Sequence, residues 1–549
     1  MTRSRSSSFR VPFCLVGFLV LVAGFIAAVA PCAAGTVPSE LTLTLRTQDA
    51  KTHEPIITSA KIYPKKVGIV IVDPWNYHWC MTLAARVASV APLYNQAFES
   101  ARQMGMQIFW APSEPTSMYA GTPARERVAT IPLVEVPKVR EFSCKFTGNW
   151  SCECGPGIAC NFHFGLDGIA PGYEIKDEDW IVTGSEAYSI CKAKGLTHLL
   201  MVGFATNACL YARPSGIVPM MSAGMNCILV RDMTDAVSEY RPADNYTPDE
   251  GTAQAVADLE RAGLPSISLV DELRKVGLWQ EERPVHPVNI TPWGIEDRPY
   301  LFDGSVNVSL TDPWEDDAEI FYTLDGTEPT LESMRYAKQI ILEKTTHIRA
   351  AAFRDGRRVS LISDGHFVRL GAMPPQPDVY LDQVQAVTEY PCWYASWHPV
   401  TNKSFENKAL LLRGKHYKKG LGMRAPSNMR YPLKGEYDRF VCLAGIDGNL
   451  LRAGKDRYGV FPGGQGRSSR GGAGRGSLLA QQPSVQFRIF IDGKQAAESA
   501  KLKIGQGPWR FDVKIPEGAR QINLTVVDNG RRSVLNLANW VDAGFVLKK

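Results

Sequence analysis

The 549-residue chain carries little excess charge of either sign. Its formal net charge is +5, and the stretch 452–476 supplies all of it: Arg452, Lys455, Arg457, Arg467, Arg470 and Arg475 stand against Asp456 alone. The remainder is nearly neutral, which excludes a general nucleic-acid role, because that needs a basic face. Long apolar runs are also scarce. After Val11–Ala30 no segment could span a bilayer, so no membrane role is expected beyond that first segment. The cysteine spacings match no strong zinc pattern. The segment 452–483, rich in Gly, Arg and Ser, has too little apolar area to bury and is expected to be a disordered insertion.

What is present reads as an ordinary globular composition, 45% hydrophobic and 21% charged. The length exceeds what one core supports, so about three domains are expected. Residues 1–34 read as a signal peptide. Arg3, Arg5 and Arg10 make a basic start, Val11–Ala30 is the apolar stretch, and Cys32-Ala33-Ala34 sets small residues before a cut at Gly35. A retained anchor is the alternative, and Pro31 before Cys32 argues against a lipoprotein. Export implies a secreted, periplasmic or cell-surface protein.

Residues 36–60 are a polar lead-in. From 60 to 280 apolar strands and amphipathic helices alternate, the pattern of a three-layer α/β unit with a parallel sheet. The expected strands are Val67–Val72, Met106–Ala111, Leu199–Val202, Asn226–Val230 and Ser266–Val270. The expected helices include Gly184–Lys194, stopped by Gly195, and Cys209–Ala223. Pro284, Pro287 and Pro292 mark 280–298 as a linker. Beyond it the patterning is all-β, giving two sandwich modules at 299–369 and 378–549.

The sharpest chemical signal lies in the α/β unit. VGIVIVD ends a buried strand on Asp73, and GFATNAC (Gly203–Cys209) ends another on a glycine-rich turn that delivers Cys209 at a helix start. Strand ends of a parallel sheet are where such folds bind ligands. A helix dipole lowers a thiol's pKa, and an aspartate can accept its proton. These segments resemble the isochorismatase-like cysteine hydrolases, a superfamily marked by an Asp, a Lys and a Cys in a G-x-x-T-x-x-C turn. The resemblance implies a catalytic set of Asp73, Lys176 and Cys209. It also implies a cis peptide at Phe204–Ala205 and oxyanion donors at Ala205 and Cys209. No cofactor or metal is implied, and the substrate would be a small amide-like molecule. Lys176, in YEIKDEDW, lacks the family's usual flanks, and a solvated loop lysine is the alternative. Trp75, His78, Trp79 and Tyr119 are candidate pocket residues, with core packing the alternative for the aromatics. Arg125 and Arg127 are candidate substrate contacts.

Cys144, Cys152, Cys154 and Cys160 cluster in one loop with His163 nearby. In an exported protein they read as two local disulfides, and a zinc knot is the alternative. Cys80, Cys191, Cys227, Cys392 and Cys442 lie in apolar contexts and read as buried thiols.

YTLDGTEPT (322–330) and HIRAAAFRDGRRVS resemble the small C-terminal β-sandwich of chitobiase-type hexosaminidases. VYLDQV, LLLRGKHYKKGLGMRAPSNMRYPLKG, VQFRIFIDGK and NLANWVDAGFV resemble the NPCBM carbohydrate-binding module, a galactose-binding-like jelly roll. That second resemblance implies glycan contacts at Trp393, Trp397, His398, Tyr417, Arg424 and Trp540, although a jelly roll also buries aromatics. The expected partners are a small-molecule substrate and a polysaccharide or cell-surface glycan. A second copy of the chain is left open, because related domains often pair. The sequence therefore points to an exported cysteine hydrolase tethered to glycan. The alternative is a carbohydrate-binding surface protein with an inactive first domain.

Overall fold

A computed structural model describes residues 38–78, 80–112, 116–155, 167–387, 398–452, 483–528 and 536–549. The leader, nearly all of the 452–483 insertion, and Trp79, Cys160, His163, Cys392, Trp393 and Trp397 lie outside the described residues.

The N-terminal sheet has eight strands: β1 (Leu41–Gln48), β2 (Pro55–Ile62), β3 (Val67–Val72), β5 (Gln107–Ala111), β7 (Trp180–Ile181), β8 (His198–Phe204), β9 (Asn226–Asp235) and β10 (Ser266–Ile267). A two-stranded ribbon, β4 (Trp75–Tyr77) with β6 (Asp167–Ile169), lies apart from it. The order β2-β1-β10-β9-β8-β3-β5-β7 is parallel from β10 to β7. The polar lead-in is an antiparallel hairpin that extends this sheet at one edge, with Arg46 paired to Ser266.

β3 shows why the sheet sits between two layers. All six of its residues are buried, and alternate side chains enter separate cores. Val67, Ile69 and Ile71 pack with α1 (Met81–Ser89), α2 (Ala91–Gln103) and α8 (Leu269–Lys275). Val70 and Val72 pack with α4 (Gly184–Lys194), α6 (Ile217–Ser222) and α7 (Pro248–Arg261). A continuous apolar run is what a strand covered on both faces requires. A short α3 (Pro123–Glu126) lies in the loop after β5. α4 and α7 start with capping boxes, Thr183 with Glu186 and Thr247 with Glu250.

Two segments depart from the sequence expectation. The helix expected over Cys209–Ala223 is broken into α5 (Cys209–Ala212) and α6, because Pro214 forces Arg213 into an extended conformation, φ −61° and ψ 155°. The expected linker 280–298 is not loose. Val285, Val288, Ile290 and Trp293 are buried, and Asn289–Thr291 pairs with Val306–Thr311.

The first β module packs a three-stranded sheet on a six-stranded one built around Thr346–Arg354. Its core residues Ile290, Leu310, Ile348 and Phe367 belong to the same apolar cluster as α1 and α2. The C-terminal module is a separate sandwich. One sheet is centred on Leu537–Leu547 and Tyr437–Ile446, the other on Gln521–Asp528 and Ser484–Ile491, with their own core between them. Among the described residues no helix is long and apolar enough to cross a membrane.

Candidate functional site

Asp73 follows β3 directly and adopts φ +53°, a left-handed conformation unusual outside glycine. Its N–H donates to Ala111 O at 3.2 Å, and its carbonyl accepts from Trp75 N at 2.8 Å. The carboxylate is fully buried. Beside it, Gly203 has φ +113°, and a Cβ there would lie 2.1 Å from Val72 O. Only glycine lets β8 approach β3 this closely at the point where Asp73 emerges.

The GFATNAC turn is fastened to β9 and the residues after it. Thr206 N donates to Asp235 O at 3.0 Å, and the Thr206 and Thr234 hydroxyls bond at 2.7 Å. Asn207 Nδ2 donates to Val237 O at 2.9 Å, and its Oδ1 accepts from Val237 N at 3.1 Å. Ala205 O accepts from both Ala208 N and Leu210 N, which closes the turn and presents Cys209.

Cys209 is half-buried, and its thiol interacts with both the Asp73 carboxylate and the Arg213 guanidinium. Arg213 Nε stands 3.4 Å from Asp73 Oδ2. Burial first, and then the Asp73 charge, push the Cys209 thiol up to about 12, with Arg213 pulling the other way. Burial and the Asp73 charge thus favour the protonated thiol. The expected dipole-lowered thiolate is corrected, since α5 has only four residues.

Lys176 does not join this group. Its Nζ pairs with Glu174 Oε2 at 2.7 Å on the surface. Arg213 supplies the cation beside Asp73 instead. Sequence reasoning missed it, although Pro214 immediately after it signalled that the helix would stop there. The cis peptide expected at Phe204–Ala205 is also corrected, because among the described residues the cis peptide bonds are Thr291–Pro292 and Ala425–Pro426.

The pocket candidates are largely framework. Trp75 is buried, stacked on His78 at 4.5 Å between centroids, and its strand pairs with Ile169. His78 is buried, and its Nδ1 accepts from Cys80 N at 3.1 Å. Tyr119 Oη accepts from Ile169 N at 2.6 Å. Arg125 pairs with Glu186 at 2.8 Å, and Arg127 lies over the Trp180 ring at 3.8 Å, so both arginines hold the loop after β5. The two clefts of about 710 and 600 Å³ lie at the seams with the β modules, and neither is lined by Asp73, Cys209 or Arg213.

The cysteine cluster is rearranged relative to expectation. Cys144 stands apart, its N–H bonded to Tyr211 Oη at 2.8 Å and its thiol pushed up by burial to about 11. Cys152 and Cys154 meet Cys80 instead. Cys191, Cys227 and Cys442 are buried as expected.

In the C-terminal module, Trp540 is 0% exposed. It packs edge-on to Phe487 and stacks on Phe511, so it is core and not a sugar platform. Its neighbour Asn539 is buried too and donates to Asp447 Oδ1 at 3.0 Å. Tyr417 and Arg424 are partly exposed, and His398 is exposed. Lys415 Nζ lies 5.0 Å from the Tyr417 ring centre.

Residues 377–546 match the NPCBM/NEW2 domain, and residues 301–363 match the chitobiase/beta-hexosaminidase C-terminal domain. No curated protein matches the chain at a significant level. Among solved structures, the chain is similar to CBM51 from Clostridium perfringens GH95 in complex with methyl-galactose. That likeness has 21% identity and a TM-score of 0.22, and covers 31% of this chain and 99% of that one. It is also similar to the CBM51-2 and INT domains of Clostridium perfringens ZmpB, with 17% identity, TM-score 0.24 and coverage of 38% and 39%. The tandem CBM51 modules of a Streptococcus pneumoniae family 98 glycoside hydrolase give 18% identity, TM-score 0.24 and coverage of 42% and 71%.

Proposed function

We propose that this is an exported glycan-binding protein whose C-terminal sandwich makes the sugar contact. The observation that carries this reading is the NPCBM/NEW2 match over 377–546, coincident with a two-sheet sandwich. Tyr417 offers an apolar ring face and Arg424 a planar set of donors, the groups that sugar recognition uses. The test is a glycan array probed with the full chain. Tyr417→Ala and Arg424→Ala should each weaken the bound glycan's signal about tenfold, as for one of the few residues that carry most of a contact's energy. An array on which no glycan is retained would remove the reading.

A second reading is favoured by one specific observation, the meeting of Asp73, Cys209 and Arg213 at adjoining strand ends. It resembles the site of isochorismatase-like hydrolases with an arginine in place of the lysine. In this reading the thiol is neutral at rest. Asp73 takes its proton as sulfur attacks an amide carbonyl carbon, then returns that proton to the departing amine. Water then hydrolyses the thioester, and Arg213 balances the charge on Asp73. A panel of small amides, with Cys209→Ala as the blank, tests this. Turnover that falls by about 10²–10⁴ in Asp73→Asn would support it, and hydrolysis no faster than the blank would discard it.

A further inference from the structure

We propose that Cys80, Cys152 and Cys154 form a thiolate site for a zinc ion that ties the start of α1 to the loop at 152–154, beside the first β module. Cys80 comes from the segment after β3 and caps α1, while Cys152 and Cys154 come from a loop more than seventy positions later. Cys80 Sγ lies 3.7 Å from Cys152 Sγ and 4.0 Å from Cys154 Sγ, and all three sulfurs fall within 4.8 Å of one another. Zinc–sulfur bonds are about 2.3 Å, so two thiolates on a tetrahedron stand about 3.8 Å apart. The observed spacing fits a metal between the sulfurs. A disulfide requires sulfurs at about 2.05 Å and joins only two of the three.

The surroundings suit such an ion. Cys80 and Cys154 are buried and Cys152 is half-buried. Cys80 opens a nine-residue helix, whose N-terminal N–H groups favour a negative sulfur. Thr82 Oγ1 lies 3.3 Å from Cys154 Sγ and accepts from Trp293 N at 2.9 Å. Tyr300 Oη donates to Cys154 O at 2.6 Å, and Arg298 Nη1 donates to His78 O at 3.1 Å. Each of these fixes a ligand-bearing segment against the β module, as outer-shell groups do around metal ligands. Cys154 also lines the cleft of about 600 Å³ at this seam, which gives an ion a route in.

The spacing Cys152-x-Cys154 was visible in the sequence, but Cys80 could not be placed with it, because the pairing depends on how the loop folds back across α1.

Elemental analysis of the full chain, purified without chelator, tests the site. We expect about one zinc per chain, lost in Cys80→Ser, Cys152→Ser or Cys154→Ser and kept in Cys144→Ser. Two measurements on the unaltered chain remain decisive if those variants misfold. Cobalt exchanged for zinc should show a thiolate-to-metal charge-transfer band. The three cysteines should resist alkylation until a chelator is added, as mapped by peptide mass. A chain without metal would overturn the proposal, whether its three thiols alkylate freely or two of them form a disulfide.

Discussion

Cys209 sits between two groups that act on its proton in opposite directions. Asp73 and burial hold the proton on, and Arg213 helps to release it. With the thiol pushed up to about 12, the reactive thiolate is a small fraction at neutral pH. It should grow about tenfold per pH unit, as for any thiol far below its pKa. Iodoacetamide labelling of Cys209 should therefore rise steeply from pH 7 to 10 without levelling. A plateau near the ordinary thiol value of about 8.5 would contradict the burial argument. The sign extends to the neighbours. Asp73→Asn removes a charge that holds the proton, so labelling at pH 8 should quicken, by about tenfold for a close charge. Arg213→Gln should slow it. Lys176→Ala should leave the rate unchanged, because Lys176 is committed to Glu174 at the surface. Asp73 and Cys209 were legible in the sequence because each ends an apolar run at a turn. The third member was not. The family resemblance pointed to Lys176, whereas a proline-induced break in a helix brought in Arg213.

At the scale of elements, the site depends on how closely β3 and β8 lie side by side. Gly203 faces Val72 across the parallel pair, and its φ of +113° is closed to other residues. Gly203→Ala meets both a backbone clash with Val72 O and a disallowed torsion. The torsion alone costs about 1–3 kcal/mol, and the clash adds to it. The urea midpoint of the variant should fall accordingly, and an unchanged midpoint would mean that the strands are less tightly apposed than described. Pro214→Ala addresses the adjoining break. Freed of the proline, Arg213 can continue the helix from Cys209 toward α6 and leave Asp73, so Cys209 labelling should slow as in Arg213→Gln. The alternation of strands and helices from β3 onward was readable, since each strand is a short apolar run between turn signals. The hairpin at 41–62 was not, because its edge strand β2 is exposed along nearly its whole length and buries only Ile62, so it offers little apolar patterning. The proline-rich 280–298 was misread for a related reason. Its prolines flank a buried strand, and punctuation alone does not reveal burial.

Across the whole molecule, the buried apolar side chains of the described residues gather in clusters that cross the sequence-defined modules. The α/β unit and the first β module share one apolar cluster, while the C-terminal sandwich is built on a second that also takes in Leu301 of the first β module. A buried charge cluster lies at the shared seam. Arg86 binds Asp235 at 2.7 Å and Asp249 at 2.5 Å, with Glu153 at 3.8 Å. Asp249 in turn accepts from Asn289 Nδ2 at 3.1 Å and from the Thr311 hydroxyl, both of the β module. Arg86 thus pairs directly with two carboxylates, while burial pushes Glu153 well above the usual carboxylate range and so toward its neutral form. Removing one partner of a buried pair costs about 3–5 kcal/mol, because the charge left behind has no water to solvate it. Calorimetry of Arg86→Met should show the transition of the α/β unit and first β module moving down as one. The C-terminal transition should stay where it is in the parent chain. Had the three sequence segments been independent beads, the α/β transition would fall alone and the first β module would keep its own temperature. The shared core and the Arg86 cluster make that outcome incompatible with the fold.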